Sequence, residues 1–285
     1  MAPPDRRGRI TRLQAWILAS RPRTLTAAAA PVFVGSGLAQ WHGSFSPLPA
    51  LAALGGALLI QIGTNLANDY YDYVKGADTV GRKGPTRVAH GGLISLPSLR
   101  IGIILTFSLA IMVGFYLVLV GGWPIAVIGF AALVSALAYT GGPFPLGYNG
   151  LGDLFVFLFF GLAAVCGTYY DQALDLTALV ILASIPVGAL TTAILVVNNF
   201  RDLDTDRTAG KRTLAVMIGS TASRFEYAAL LAIAYVVPAT LCLLGWVSAW
   251  ALLPWLTVLL AGRLARTVFQ TTEGPPLNQA LAGTA

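Results

Sequence analysis

The sequence predicts an all-α membrane protein, in which transmembrane helices form a bundle around a central cavity. Two observations support this class. Of the 285 residues, 56% are hydrophobic and only 11% are charged, whereas a soluble domain carries about 25% charged residues. Apolar stretches also recur at the length of roughly 20 residues that a helix needs to cross the hydrocarbon core of a bilayer.

Eight spans are predicted in chain order, covering about 13–40, 48–74, 99–120, 123–140, 150–170, 174–199, 224–245 and 247–270. Each span ends where the composition changes. Turns rich in glycine and proline separate spans one and two, three and four, and four and five, at Gly43–Pro49, Gly121–Pro124 and Gly141–Gly150. Longer polar connections, 75–98 and 200–223, follow the second and sixth spans. The chain forms one domain of residues 1–285, with halves of about 1–140 and 141–285.

All 18 Lys and Arg residues lie on one side of this topology. They precede or begin the first span, lie in or beside the two long connections, or end the eighth span. The alternate connections, near 41–47, 121–122, 171–173 and 246, contain no Lys or Arg. The positive-inside bias therefore predicts a protein of the inner (cell) membrane, with its N-terminus and both long connections in the cytoplasm. Membrane orientation, and not nucleic-acid binding, accounts for the net charge of +6.

Half of the acidic residues fall in two short windows at this predicted cytoplasmic face. Six of the 12 Asp and Glu residues lie in windows 65–78 and 198–206, namely Asp69, Asp72, Asp78, Asp202, Asp204 and Asp206. Each window starts at the end of a span and continues into a basic connection. Ionisable residues that enter a span are costly and usually functional. Solvated loop charge is the alternative, and it explains a single window better than two windows on one face.

Asparagine and aspartate recur at helical spacing within both windows. Residues four apart share a helix face, and three such rows occur: Asn65 with Asp69, Asn68 with Asp72, and Asn198 with Asp202 and Asp206. Carboxylates stacked this closely repel one another unless a cation lies between them. Mg²⁺ prefers such oxygen ligands, and it typically takes one or two carboxylates together with phosphate oxygens and water.

Basic residues follow each acidic window directly. They are Arg82, Lys83 and Arg87 after the first window, and Arg207, Lys211 and Arg212 after the second. Guanidinium groups and ammonium groups both bind phosphate oxygens. Carboxylates for a metal, cations for phosphate and a membrane core for an apolar tail together predict a site for a lipid diphosphate.

The two windows also resemble each other, which suggests two halves that face each other across a cavity. A cation or metabolite transporter is the alternative from another functional class. Transporter sites tend to lie near the bilayer midplane in broken helices, whereas these acids lie at span ends beside basic connections. Their position therefore favours an enzyme.

Several motifs in chain order resemble the UbiA superfamily of intramembrane prenyltransferases. Within it, the chain is most similar to the 1,4-dihydroxy-2-naphthoate prenyltransferases of menaquinone synthesis. The motifs are Arg21 to Leu25, Asn68 to Asp72 with Gly76 and Asp78, Arg82 with Gly84, Pro85 and Arg87, Tyr139 to Gly142, Gly150 to Asp153, and Asn198 to Val216.

This resemblance implies magnesium-dependent transfer of an isoprenoid chain from a polyprenyl diphosphate to dihydroxynaphthoate, with decarboxylation to demethylmenaquinone. Another aromatic acceptor, 4-hydroxybenzoate or homogentisate, is the nearest alternative. Two Mg²⁺ ions are implied, with the ligands Asn68, Asp72, Asp78, Asn198, Asp202 and Asp206. The implied diphosphate contacts are Lys75, Arg82, Arg87, Lys211 and Arg212.

The catalytic set implied by the resemblance is Asp69, Asp72, Asp202, Asp206 and Tyr139. Asp69 is expected either to assist proton removal or to support a metal ligand. Tyr139 is expected to line the site of the allylic carbocation, since aromatic faces attract cations, although a tyrosine near the interface is usually a membrane anchor.

Three further residues are expected in the acceptor site. Tyr70 is a second candidate for the wall of the carbocation site. Arg23 is expected to meet the carboxylate of the acceptor, although it could instead extend its charged group to the membrane surface. Asp153 is assigned to the same site, although an N-terminal helix cap explains it equally well.

The sequence departs from the family pattern in three places. Gly76 occupies the usual position of an acid, so that the next acid is Asp78, and Pro143 replaces a lysine found in many relatives. The family usually has nine spans, whereas residues 275–281 resemble only the first turns of a ninth. We therefore expect eight complete spans, with the ninth missing or truncated.

Overall fold

The computed structural model describes residues 10–76 and 87–285, and over these ranges the chain is helical with no strand. Twelve α-helices are present in the described ranges. They are α1 (Arg12–Ser20), α2 (Pro22–Trp41), α3 (Pro47–Val74), α4 (Leu96–Gly121), α5 (Trp123–Ala138), α6 (Gly152–Val156), α7 (Ala164–Ala173), α8 (Ala178–Arg201), α9 (Leu203–Thr208), α10 (Leu214–Leu243), α11 (Val258–Gln270) and α12 (Gly274–Thr284).

Short segments of other helix types join some of these helices into longer ones. A π-helical segment, Phe157–Ala163, connects α6 to α7, and 3₁₀ helices lie at Leu146–Tyr148 and Ala249–Thr257. Six helices of the described chain are long and apolar enough to cross a membrane, namely Pro47–Val74, Leu96–Gly121, Gly152–Ala173, Ala178–Arg201, Leu214–Leu243 and Ala249–Gln270. The all-helical membrane fold is confirmed, whereas the count of eight spans stays a prediction.

The first predicted span is the main difference, because it is two helices and not one. Arg21 separates α1 from α2 with a left-handed backbone, at φ 51° and ψ 70°. The next residue, Pro22, disfavours helical geometry in the residue before it and has no N–H to donate. The fourth predicted span is α5, which is short at 16 residues.

The second acidic window also departs from the predicted single helix face. Helix α8 ends at Arg201, and Asp202 has φ −94° and ψ 7° before α9 begins at Leu203. The row of Asn198, Asp202 and Asp206 is therefore divided between two helices. Aspartate favours such helix ends, where its carboxylate can satisfy other groups.

Helix α8 lies at the centre of the second half. It packs against α10, α12 and the π-helical segment, and Val197 on it is fully buried. Helix α12 packs against α8 with Leu277 and Ala280, which are both buried. The helical turns that the sequence predicts at 275–281 are present in α12, Gly274–Thr284.

A cavity of about 670 Å³ lies among helices α2 to α5, the segment from α6 to α7, and α8. Its walls are mainly apolar. Asn68 and Tyr139 line the cavity near the end of α3 and the end of α5, and Asp171 lines it near the end of α7. The cavity therefore extends from the first acidic window towards the opposite ends of the helices.

Helices α2 and α7 approach closely through Gly35, and a larger residue at this position should destabilise the bundle. A Cβ atom at Gly35 would lie 2.6 Å from the carbonyl oxygen of Val165 and 2.9 Å from Thr168 Cβ. Overpacking of this kind costs about 1–3 kcal/mol. We predict that Gly35→Ala lowers the midpoint of thermal unfolding in detergent.

Gly37→Ala is the matched control, because Gly37 lies on the same helix and a Cβ atom there has no neighbour within 4 Å. Its unfolding midpoint should stay at the wild-type value or rise. Equal midpoints for the two variants would contradict close packing of α2 on α7.

Candidate active site

The two Asn/Asp rows on α3 have different partners. Asn65 donates from Nδ2 to the carbonyl oxygen of Ser20 and to Thr24 Oγ1, both at 3.0 Å. One turn later, Asp69 accepts a hydrogen bond from the Arg21 guanidinium. The contacts of this first row therefore stabilise the break between α1 and α2. The second row, Asn68 with Asp72, remains available for the site.

Asp69 is buried, with 2% of its surface exposed, and its carboxylate is fully engaged. The guanidinium groups of Arg21 and Arg87 both form ion pairs with it. The backbone N–H of Val88 donates a further hydrogen bond at 3.2 Å. Such a carboxylate is poorly placed to remove a proton, so the structure favours the supporting role of the two that the sequence suggests.

Asp72 lies one turn further along and joins the two halves of the chain. Its Oδ2 accepts from Arg87 Nη2 at 2.8 Å. Its Oδ1 accepts from the Tyr148 hydroxyl and from Lys211 Nζ, the latter at 3.2 Å. Because Arg87 also binds Asp69, one guanidinium neutralises part of the charge of both acids.

Tyr148 is a site residue that the sequence analysis missed. Besides its bond to Asp72, its carbonyl oxygen accepts from the backbone N–H of Arg212 at 2.9 Å. The ammonium groups of Lys75 and Lys211 lie over its ring, 5.1 and 4.6 Å from the centroid. Its only sequence signal is its place in a glycine- and proline-rich connection, where a tyrosine resembles an interface anchor.

Lys75 completes the basic side of the site. Its Nζ donates to the carbonyl oxygens of Thr140 and Gly142, at 2.7 and 3.4 Å. Burial lowers the pKa of Lys75 from its ordinary value, and the positive charge of Lys211 acts in the same direction, while Asp72 opposes both. Two ammonium groups are thus held beside one tyrosine ring, which is an arrangement that a polyanion would stabilise.

Arg201 organises the second acidic window, and the sequence analysis did not single it out. It is buried, and it donates from Nε and Nη2 to the two oxygens of Asp202, at 2.9 and 2.6 Å. It also donates to Asn198 Oδ1 at 2.9 Å and to Asn278 Oδ1 at 2.7 Å. One planar guanidinium therefore holds two predicted metal ligands and connects them to α12.

Tyr139 is the predicted site residue that lines the cavity together with Asn68. Its carbonyl oxygen accepts from the backbone N–H of Gly147 at 2.9 Å. The next residue, Thr140, donates from Oγ1 to Asn68 Oδ1 at 2.8 Å. The end of α5 thus lies where the first acidic window and the cavity meet.

The other predicted acceptor residues have different surroundings. Tyr70 packs against the cluster that includes Leu66 and Val88, and it is not among the described residues that line the cavity. Arg23 is exposed near the start of α2, so its role stays a prediction. Asp153 is buried in the first turn of α6, where Leu151 is the N-cap residue, and its role stays a prediction.

Asp78 and Arg82 lie outside the described residues. Arg212 is exposed, and the structure connects it to the site through its backbone, which donates to Tyr148.

The described residues supply only some of the ligands that a magnesium site requires. No three acidic, His or Cys side chains converge within the described ranges. The available donors are instead single buried carboxylates and neighbouring amide oxygens, as at Asn68 and Asp72. This donor set fits Mg²⁺, which commonly takes one or two carboxylates and completes its shell with phosphate oxygens and water. The residues thus fit a metal that arrives with its phosphate.

Comparisons with known proteins find a matching family and several relatives. The sequence profile of the UbiA prenyltransferase family matches residues 28–278. A 1,4-dihydroxy-2-naphthoate octaprenyltransferase of Escherichia coli is 41% identical over 263 residues, covering 90% of this chain and 84% of the relative. A protein of the same name from Mycobacterium tuberculosis is 41% identical over 241 residues, covering 82% of each chain.

Solved structures show the same fold. A UbiA homolog from Archaeoglobus fulgidus, described as bound to GPP and Mg²⁺, has a TM-score of 0.69 at 14% sequence identity. The match covers 95% of this chain and 98% of that protein. At this identity the comparison concerns the fold alone.

Asp69→Asn should test whether Asp69 is a supporting residue. The change leaves two guanidinium groups near a neutral amide, and breaking a buried ion pair costs about 3 kcal/mol or more. We expect a lower midpoint of thermal unfolding in detergent. Asp175→Asn, at an exposed carboxylate, is the control and should leave the midpoint unchanged. A normal midpoint for Asp69→Asn together with lost turnover would instead indicate a role in the chemistry.

Proposed function

The chain belongs to the UbiA prenyltransferase family, and we propose that it transfers an isoprenoid chain from a polyprenyl diphosphate to 1,4-dihydroxy-2-naphthoate. The observation that carries this proposal is the cluster of Asp72, Arg87, Tyr148 and Lys211 beside an apolar cavity. Such a cluster suits a charged head, and such a cavity suits an apolar tail. The names of the relatives support the choice of acceptor over 4-hydroxybenzoate or homogentisate. Nothing in the described residues favours the transporter alternative.

Cations beside the cavity would bind the diphosphate. Lys75, Arg87 and Lys211 already lie together around Asp72 and Tyr148. Arg82 and Arg212 follow in the same connections and are proposed as further contacts. Several cations close to one another are costly without a polyanion, so that binding of a diphosphate would relieve their repulsion.

We propose that Mg²⁺ accompanies the diphosphate, as it does in the Archaeoglobus fulgidus protein. The proposed ligands are Asn68, Asp72 and Asp78 on one side, and Asn198, Asp202 and Asp206 on the other, for two ions. When bound, the metal would neutralise charge on the leaving diphosphate. In the present structure, Arg87 and Lys211 balance the charge of Asp72, and Arg201 balances that of Asp202. Arg201 further keeps Asn198 and Asp202 in one orientation.

The proposed reaction begins when the allylic carbon–oxygen bond of the donor breaks. The departing diphosphate is stabilised by the fixed cations, and the allylic cation lies in the cavity, where the ring of Tyr139 offers an electron-rich surface. The dihydroxynaphthoate ring then forms the new carbon–carbon bond. The ring carbon that carries the new bond loses its proton, which restores the aromatic system. The carboxylate leaves as carbon dioxide while its ring carbon takes up a proton, and the product is the quinol of a demethylmenaquinone-type compound.

The remaining assignments are proposals that follow from this reaction. Arg23 and Asp153 are assigned to the acceptor, and Asp69 holds Arg87 against Asp72. The pattern of basic residues supports a location in the inner membrane. It also supports a cytoplasmic position of the N-terminus and of the connections 75–98 and 200–223, which would place the site where soluble acceptor and diphosphate are available.

The function can be tested with the purified chain, dihydroxynaphthoate, a polyprenyl diphosphate and Mg²⁺, followed by mass analysis of the lipid product. We expect a prenylated, decarboxylated naphthoquinol. Asp72→Ala and Asp202→Ala should each reduce turnover by at least 100-fold, because each removes a carboxylate of the proposed metal site. Insertion into the membrane should be unaffected.

The control is Asp175→Ala, which removes an exposed carboxylate far along the chain from both windows. It should retain wild-type turnover. Wild-type turnover in Asp72→Ala or Asp202→Ala would contradict the proposed metal site. Product with 4-hydroxybenzoate or homogentisate, and none with dihydroxynaphthoate, would reject the proposed acceptor.

Arg201→Lys should separate orientation of ligands from overall charge. Lysine retains the positive charge, but a single ammonium cannot bind Asp202, Asn198 and Asn278 in one plane. We expect turnover to fall about tenfold, as when one positioned hydrogen bond is lost. The Mg²⁺ concentration for half-maximal turnover should rise. Arg207→Lys, on an exposed residue of α9, should change neither quantity. An unchanged Mg²⁺ requirement in Arg201→Lys would contradict the orienting role.

A further inference from the structure

A carboxyl group lies at the end of the cavity that is remote from the acidic windows. Asp171 lines the cavity and is only 4% exposed. Among the described residues that line the cavity, it is the only Asp, Glu, Lys or Arg. Its Oδ1 is buried and has no hydrogen-bond partner in the described part of the protein. An ionisable residue in a span is usually functional, and the proposed chemistry does not use this one.

The polar neighbours of Asp171 on α7 have structural partners. The Tyr169 hydroxyl is hydrogen-bonded to His42 Nδ1 at 2.7 Å. Gln172 donates to Ser36 Oγ at 3.2 Å and accepts from the backbone N–H of Ser46 at the same distance. These bonds connect α7 to α2 and to the turn that follows it. Asp171 differs from both neighbours, because it lines the cavity and its Oδ1 has no hydrogen-bond partner among the described residues.

The end of α4 leaves room for this carboxyl group. A Cβ atom at Gly121 would collide with Asp171 Oδ1 and with the Ile125 side chain. A glycine at this position therefore lets the carboxyl group lie against the last turn of α4. The carboxyl group of Asp171, at this end of the cavity, thus includes an oxygen atom, Oδ1, that no group in the described part of the protein satisfies.

The distance from the acidic window to Asp171 can be estimated along α4. Gly102 lies next to Leu66, since a Cβ atom at Gly102 would be 3.4 Å from Leu66 Cδ1, and Leu66 is half a turn from Asn68. From Gly102 to Gly121 the helix rises by about 28 Å. An extended isoprene unit adds four carbon–carbon bonds, or about 5 Å. A tail whose head lies at Asn68 would therefore reach Asp171 after about five to six units.

We propose that Asp171 is a specificity-determining residue for the length of the isoprenoid tail. The proposal rests on the proposed prenyltransferase function. A tail that passes this point must lie against the carboxyl group of Asp171, to which hydrocarbon offers no hydrogen bond, and that is unfavourable. Shorter tails end before it. Asp171 thus ends the apolar path inside the protein, and longer tails turn out of the cavity there.

The test compares KM for a two-unit donor, geranyl diphosphate, with KM for an eight-unit donor, octaprenyl diphosphate, in the same mixed micelles. Asp171→Leu and the smaller Asp171→Ala both remove the carboxyl group. We expect each to lower the ratio of the long-donor KM to the short-donor KM about tenfold relative to the wild type. A gain in apparent affinity for the long donor is an effect that a damaged fold does not produce.

Two controls accompany this comparison. Asp171→Asn keeps a polar group of similar size and should leave the KM ratio near the wild-type value. Asp175→Leu introduces the same apolar side chain at an exposed acid near the end of α7, and it should also leave the ratio unchanged.

An unchanged KM ratio in Asp171→Leu and Asp171→Ala would overturn the inference, as would an equal change of KM for both donors. The proposed function is judged separately, by turnover of either donor in the wild-type chain. Absence of turnover with both donors rejects the function, whereas turnover with an unchanged ratio rejects only the role of Asp171.

Discussion

The need to neutralise buried carboxylates at helix ends determines much of this structure. Asp69 and Asp72 are both 2% exposed, and Arg87 pairs with both of them. A buried charge without a partner is costly, so each segment that supplies a cation is held in place. Arg21 fixes the break after α1, Arg87 fixes the segment that leads into α4, and Lys211 brings the second long connection to α3.

Because the same ion pairs support the fold and surround the site, the site is preorganised for a polyanion. The carboxylate of Asp72 is held by three groups from different parts of the chain, including the hydroxyl of Tyr148. Arg201 has the equivalent role in the second window, where it holds Asp202 and Asn198 and also donates to Asn278 on α12. Fixed dipoles and charges of this kind require little reorganisation when charge develops on a leaving group. In the proposed function, the charged cluster binds the diphosphate head of the substrate and the apolar cavity binds its tail.

The sequence predictions agree with the structure where they depend on length and hydropathy, and they differ where a single residue leaves the helical conformation. The long apolar runs at 48–74, 99–120 and 174–199 were predicted well, because length and hydropathy are local properties. The prediction of a single first span is wrong at Arg21, because Pro22 disfavours helical geometry in the residue before it. The predicted row of Asn198, Asp202 and Asp206 is likewise divided between two helices, because Asp202 leaves the helical conformation and pairs with Arg201.

The sequence by itself determined the class of the protein, the residue types of the site and the family, because composition, periodicity and motif spacing are written along the chain. Only the tertiary structure decided which polar residues share a partner. It separated the structural row of Asn65 and Asp69 from the site row of Asn68 and Asp72, it introduced Tyr148 and Arg201, and it placed Asp171 in the cavity wall. The physical reason is that hydrogen bonds and ion pairs at 3 Å join residues far apart in sequence, and spacing along one helix says nothing about the groups it faces.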